Sequence, residues 1–481
     1  MLFNSYVFIL LFLPITFAAY FGLNRFKQYT LSKYVLIVAS LFFYGYFNPW
    51  YLLIIVSSIL LNYILGKVIR RLEDKSNGLR KSVFVIGIVA NIGLLFYFKY
   101  FDFLIININT IFSAEFNLLN IVLPLGISFF TFQQLSYLID TYKKEVPDYH
   151  FADYALFVTF FPQLVAGPIV LHGEMLPQFE SIENKKINFD NLVCGIQAFS
   201  IGLAKKVIVA DTFGKIVDYG HLHIASLNSF EAILTIFAYT LQIYFDFSGY
   251  CDMATGIGLM FNIKLPQNFN SPYKATDIVD FWKRWHMTLT RFLTKYIYIP
   301  LGGNRKGEIR KYLNIFIVFL VSGIWHGAGY TFIFWGLFHG IANVLTRLLD
   351  KPLSKVPKAI KWIGTFLFLN FSWTYFRATS IGNANALFKR VFSGGLGINA
   401  ELTETLLQPT LISVFSQFLP FVAVIIAFSL IFLFVAVFCK NTNEKVIDCN
   451  PKFSNWIFTM ILFVYSVLSL SGISTFLYFN F

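Results

Sequence analysis

Residues 6–20, 34–46 and 51–64 contain no charged side chain. Apolar runs of this kind suit the hydrocarbon core of a bilayer, and similar runs recur along the chain. They constrain the fold more than any other feature and predict membrane-spanning helices. Only 13% of the 481 residues are charged and 57% are hydrophobic, whereas a soluble domain has about 25% charged residues. The expected fold is all-α: a polytopic membrane protein of about 11–13 membrane segments, with re-entrant or interfacial helices around a central tunnel. The N-terminal "MLFNSYVFILLFLPITFAAYFGLN" lacks the basic region of a signal peptide and reads as a first, retained helix.

The formal net charge is +13. Much of it sits in short loops near span ends: 24–33, 67–81, 142–146, 347–361 and 440–445. Positive charge gathers in cytoplasmic loops and sets orientation. Placing these loops inside gives a consistent trace with both termini outside, spans near 82–98 and 119–140, and a last span at 454–478. The charge therefore speaks for topology, and no nucleic-acid partner is expected. Cys194, Cys251, Cys439 and Cys449 show no CxxC spacing, so neither a metal site nor a disulfide framework is evident.

The chain reads as one domain, 1–481: N-terminal spans over 1–118, a core over 119–350 and C-terminal spans over 351–481. The longest polar external stretch is 378–410. Two core regions fail as simple spans. Residues 150–182 have a short apolar part broken by Pro162, Gly167 and Pro168. Residues 261–311 hold ten Lys and Arg against Asp277, Asp280 and Glu308, a net +7 within a dense aromatic pattern. Irregular backbone at membrane depth is tolerated where protein or a water-filled cavity covers it, so both regions are expected to be re-entrant or interfacial. For 261–311, an amphipathic helix lying on an anionic leaflet is the other reading.

Ionisable groups inside apolar segments are functional candidates. His326 lies in "SGIWHGAGYTFIFWGLFHG". From Lys311 on the inside, residues 312–325 rise about 21 Å at ~1.5 Å per residue, which places His326 beyond mid-membrane. Gly323, Gly327 and Gly329 allow close approach of backbone or ligand. His326 is either a general base or a structural histidine bonded across helices. His286, in "FWKRWHMTLTRF", is a second site group or an interfacial anchor beside Trp282 and Trp285. His339 reads as packing; His150, His172, His221 and His223 read as loop residues. Gln242 and Asp246 share one helical face. Asp246 is expected to pair with a Lys or Arg in a structural role. The chain shows no Walker loop, HExxH or GxSxG, which disfavours a nucleotide-driven pump, a zinc protease and an ordinary serine hydrolase. No metal is expected.

Several blocks together resemble the membrane-bound O-acyltransferases, in particular the alginate and peptidoglycan O-acetyltransferase membrane subunits of bacteria. They are "LPLGISFFTFQQLSYLIDTYK", "FFPQLVAGPI", "GLAKKVIVAD", "YTLQIYFDFSGYCDMATGIG", "NFNSPYKATDIVDFWKRWHMTLTRFL", "YIYIPLGGNRKG" and the His326 block. The resemblance implies a bacterial inner-membrane, multi-pass enzyme. It would carry an acyl group, most simply acetyl, from cytoplasmic acetyl-CoA toward an extracytoplasmic polysaccharide such as an alginate-like polymer or peptidoglycan. It also implies that His326 is catalytic and His286 is its recurrent companion. Thr294 and Lys295 depart from the commoner pattern at "RFLTKYIYIPLGG".

On that reading His326 takes a proton from the acceptor, and Trp325 or backbone N–H groups stabilise the oxyanion. The basic element attracts the donor through Lys283, Arg284, Arg305 and Lys306, with Asn270 and Trp285 beside them. Acetyl-CoA is a substrate here, and no bound cofactor is expected. An exported SGNH-hydrolase-like transferase is the expected partner, alongside membrane lipid. The alternatives are a transporter or flippase of an acylated lipid or glycan, and D-alanyl transfer to teichoic acid.

Overall fold

The helix Trp50–Arg71 exposes Leu53, Leu60 and Ile64, while Ser58 and Asn62 are buried. Large apolar side chains face outward while polar Ser58 and Asn62 join Ile55 and Ile59 at the helix interface, an arrangement suited to a lipid solvent. A computed structural model describes residues 1–73, 75–407, 411–447, 453–470 and 476–477. Every regular element among them is helical. Val7–Arg25, Trp50–Arg71, Asn77–Lys99, Phe189–Leu222 and Phe421–Phe438 are long and apolar enough to cross a membrane; Tyr29–Gly45, Phe101–Phe112 and Phe453–Leu468 are shorter and apolar. The protein is an all-α polytopic membrane protein. Residues 471–475 and 478, which the expected last span includes, lie outside the described residues, as do 408–410 and Cys449.

The chain forms two compact units, 1–199 with 253–266, and 200–252 with 267–481. In the first, Asn62 and Asn91 exchange amide hydrogen bonds of 3.1 and 2.6 Å between neighbouring helices. Gln134 donates to the Ser58 hydroxyl at 2.7 Å and accepts from the Tyr154 hydroxyl at 2.9 Å. Such pairs satisfy groups that would be costly to leave unmade away from water.

The span expected at 119–140 begins later, with a helix over Ile127–Tyr142. Pro124 disfavours helix at the residue before it, and Gly126 takes a left-handed conformation at φ +69° against the Leu164 carbonyl. Region 150–182 is broken as expected, into Phe151–Thr159, Phe161–Leu164 and His172–Glu180. His172 is not a loop residue. It opens the last of these helices, is buried, and lies 3.1 Å from both Asp140 and the Tyr149 hydroxyl. His221 likewise lies within the helix Asp211–Leu222. Cys194 is disulfide-bonded, which its spacing did not announce; a disulfide depends on spatial proximity that distant sequence positions do not encode.

Residues 261–311, of which 267–311 belong to the second unit, also resolve into short pieces: Pro272–Lys274, Ile278–Trp282, Met287–Leu293 and Thr294–Tyr298. Behind them stand Glu308–His326, Tyr330–Leu348 and Lys358–Arg377. Gly323 and Gly327 on the first of these long helices and its end, and Gly336 and Gly340 on the second, are each spaced by four. A Cβ on Gly323 would lie 2.4 Å from the Phe332 carbonyl oxygen, and one on Gly336 would lie 2.6 Å from that of Phe319. These glycines let the two backbones touch.

Candidate active site

The helix Glu308–His326 ends at His326, and extended backbone at Gly327 and Gly329 turns the chain into Tyr330–Leu348. His326 thus stands at a helix end inside the protein, with its side chain only 3% exposed. Aromatic rings surround it. Trp325 is 4.9 Å away between centroids, Trp335 5.1 Å and Phe376 5.2 Å. The Trp335 indole N–H is buried and has no hydrogen-bond acceptor among the described residues.

His286 comes to this cage from the broken element. It caps the helix Met287–Leu293 with φ +45°, a left-handed conformation that costs a non-glycine residue about 1–3 kcal/mol and recurs at functional sites. Asn268 holds it there. The Asn268 side-chain oxygen accepts from the Thr288 hydroxyl at 2.8 Å and the Thr288 N–H at 3.3 Å, while its amide nitrogen donates to Cys251 Sγ at 3.3 Å. His286 Nδ1 lies 3.1 Å from the same oxygen. That atom accepts, so Nδ1 carries the proton and Nε2 is the ring's acceptor nitrogen. The His286 and His326 rings are 6.4 Å apart.

His339 differs. Its Nδ1 accepts from Trp282 Nε1 at 3.1 Å, and Nε2 lies 3.1 Å from Ser372 Oγ. Both ring nitrogens are engaged, and the residue ties three elements together.

A cavity of about 230 Å³ lies beside the cage. Its mouth carries exposed Lys283 and Arg347, and Trp282, Phe319 and Ser322 line it. Ser322 is one helical turn before His326, whose ring is not among the lining residues. Of the expected donor-side residues, Lys283 lines this cavity. Arg284 is engaged with both oxygens of Asp280 at 3.0 Å and with the Asn270 carbonyl at 3.3 Å. The Asn270 side chain accepts from Asn441 at 3.2 Å. Trp285 is buried among Phe281, Phe269 and Trp373. Arg305 and Lys306 are exposed on the turn after Gly303.

Asp246 accepts from Lys206 Nζ and from the Leu477 N–H, at 2.8 and 3.0 Å. Gln242 is buried one turn earlier. Asn268, Thr288, Trp335, Phe376 and Arg347 were not singled out in the sequence. Asn268 and Thr288 flank the His286 block, a weak signal, whereas nothing local marks Phe376 or Arg347. Among the described residues no group of three or more His, Cys, Asp or Glu could hold a metal ion.

Comparison with known proteins adds a family. Residues 142–382 match the membrane-bound O-acyltransferase family. Over 429 residues the chain is 46% identical to the peptidoglycan O-acetyltransferase of Helicobacter pylori, covering 83% of this chain and 80% of that protein. It is 36% identical over 410 residues to the "Probable alginate O-acetylase AlgI" of Pseudomonas aeruginosa, covering 84% and 77%. Likeness to the teichoic acid D-alanyltransferase of Bacillus subtilis is weaker, 27% over 255 residues, or 51% of this chain and 63% of that protein.

Proposed function

Since the chain belongs to the membrane-bound O-acyltransferase family, and is an O-acyltransferase, we propose that it takes an acetyl group from acetyl-CoA on the cytoplasmic side and passes it toward an extracytoplasmic polysaccharide. The observation that carries this reading is the enclosed pair of His326 and His286, with His326 one helical turn beyond Ser322 of a cavity that Lys283 and Arg347 also line.

His326 is the general base. It takes the proton of the acceptor hydroxyl as that oxygen attacks the thioester carbonyl. A C–O bond forms, the C–S bond breaks, and the coenzyme A thiolate leaves and takes up the proton. Trp325, Trp335 and backbone N–H groups at the helix break are the candidate donors to the oxyanion. His286, fixed by Asn268, presents Nε2 as a second proton acceptor. Lys283 and Arg347 attract the donor's phosphates, with Arg284, Arg305 and Lys306 adding to the field. The cavity is lined by Ser322, Trp282 and Phe319 and not by His326, so on this reading the thioester reaches the imidazole past those side chains.

Peptidoglycan and alginate, which appear in its relatives' names, support a polysaccharide as the acceptor. An exported SGNH-hydrolase-like transferase completes delivery, because no described segment forms a soluble catalytic domain. The enzyme sits in the inner membrane with both termini outside.

The deciding experiment is labelled acetyl transfer from acetyl-CoA by purified protein with its acceptor or partner, for wild type and His326→Ala. The variant is expected to insert and fold normally and to transfer nothing. Near-normal transfer by folded His326→Ala removes the mechanism. Absence of transfer by wild type, with movement of an already acylated lipid or glycan, makes the protein a flippase. Label passing only from a D-alanyl carrier protein makes it a D-alanyltransferase.

A further inference from the structure

Trp282 ends a five-residue helix, Ile278–Trp282. A helix this short is not stable by itself, so contacts from outside it must fix where the indole points. One of them is specific. Trp282 Nε1–H donates to His339 Nδ1 at 3.1 Å. Nδ1 is therefore the bare nitrogen of a neutral imidazole, and Nε2 carries the proton. Nε2 donates it to Ser372 Oγ at 3.1 Å, and the Ser372 hydroxyl donates in turn to the Leu369 carbonyl at 3.1 Å.

Each side-chain polar atom in this row has a partner, and His339 and Ser372 are fully buried. A satisfied buried network holds its members in one arrangement. Packing alone asks only for apolar volume at position 339, whereas the row sets a direction for the Trp282 ring.

The ring lies where direction matters. Trp282 lines the cavity of about 230 Å³ that Lys283 and Arg347 also line. Lys283 and Arg347 are exposed, whereas Trp282, Phe319 and Ser322 are buried, so the cavity runs from a cationic outer part to an aromatic inner part. There the indole packs on Phe319 at 5.2 Å and on Trp335 at 5.7 Å between centroids, and Trp335 packs on His326 at 5.1 Å. Trp282 thus links the cavity wall to the aromatic cage of His326. The volume is below the ~300–1,000 Å³ of sites for drug-sized ligands and leaves little room for a long chain while the indole stays in place.

We propose that Trp282 is the specificity-determining wall of the donor cavity, limiting the transferred group to a short acyl chain, and that His339 is the positioning residue that holds it. The inference rests on the acyl-transfer reading above and adds the chain length that the site accepts.

The test uses the full chain with the acceptor or partner of the transfer assay, and compares acetyl-, butyryl- and hexanoyl-coenzyme A. Wild type is expected to favour acetyl over butyryl on the order of 10²-fold in kcat/KM, at about tenfold for each of two methylenes. Trp282→Phe, which shrinks the ring and deletes the N–H, is expected to bring that ratio within about tenfold. His339→Gln can still reach Ser372 but leaves the Nδ1 position empty, and is expected to relax the ratio in the same way. His339→Asn puts an acceptor oxygen at the Nδ1 position and is expected to recover most of the preference. A variant that folds less lowers transfer from every donor alike, so a merely structural role does not move the ratio.

Wild type that transfers hexanoyl as readily as acetyl overturns the proposal and leaves acyl transfer standing. So does a wild-type ratio in both Trp282→Phe and His339→Gln. A ratio in His339→Asn as low as in His339→Gln removes His339 as the positioning residue. No transfer from any of the three thioesters by folded wild type overturns the acyl-transfer reading and this inference with it. The wild-type series decides even if a variant fails to fold.

Discussion

The imidazoles of His286 and His326 lie 6.4 Å apart between ring centroids, tilted 56° to one another. That separation exceeds hydrogen-bond reach between their nitrogens, so they do not form a direct dyad. One belongs to an irregular element and the other to a helix end. His286 is oriented from behind by Asn268, whereas His326 is enclosed by tryptophan and phenylalanine rings.

Asn268→Leu removes the acceptor that sets the His286 tautomer. The turnover rate should fall on the order of 10–100-fold, the usual cost of deleting a histidine's orienting partner, with little change in KM for the donor. A pH–rate profile should change as well, because Nδ1 no longer has a fixed proton. An unaltered rate and profile would make the Asn268–His286 bond purely structural.

Trp335→Phe keeps a ring against His326 and deletes one buried N–H. If that N–H meets developing negative charge, kcat drops about 10²-fold, as for loss of one oxyanion donor, while thermal stability stays close to wild type. An unchanged kcat would remove Trp335 from the reaction.

Gly323→Val places a side chain where the Phe332 carbonyl oxygen is 2.4 Å from the Cβ position. Overpacking of this kind costs about 1–3 kcal/mol or more. The midpoint of thermal unfolding in detergent should fall clearly. Gly329→Ala is the control. Its nearest contacts are 3.7 and 3.8 Å and its φ of −170° suits any residue, so stability should hardly change.

Lys206→Met strips the cation from Asp246 and Asp211, both 2.8 Å from its ammonium. Breaking a buried pair from one side costs about 3–5 kcal/mol. Adding Asp246→Leu should recover part of that loss. Equal melting of wild type and Lys206→Met would show that water reaches the carboxylates.

Much of the chemistry was legible in local pattern. The His326 block announced a polar group in an apolar setting with glycines around it, and the structure places Gly323 at a backbone contact and Gly327 against the Phe332 ring. The net +7 of 261–311 and the prolines of 150–182 marked where regular helix fails, because a missing N–H and a charge excess act on the residues that carry them. His172 was missed for the opposite reason. Its partners Asp140 and Tyr149 come from another helix and a loop, and nothing in "VLHGEM" distinguishes a buried relay from a polar turn.

Runs of uncharged side chains were enough to specify helices in lipid, since the cost of unsatisfied backbone in hydrocarbon depends on composition and length alone. They were also enough to nominate His326. The selection of its neighbours was a different matter. Phe376 is 50 positions away, Trp335 nine and His286 forty in the other direction. Their convergence on one imidazole follows from glycine-mediated helix contact and from the left-handed turn at His286. Packing of this kind is a property of surfaces meeting in space, so it entered only when the helices were assembled.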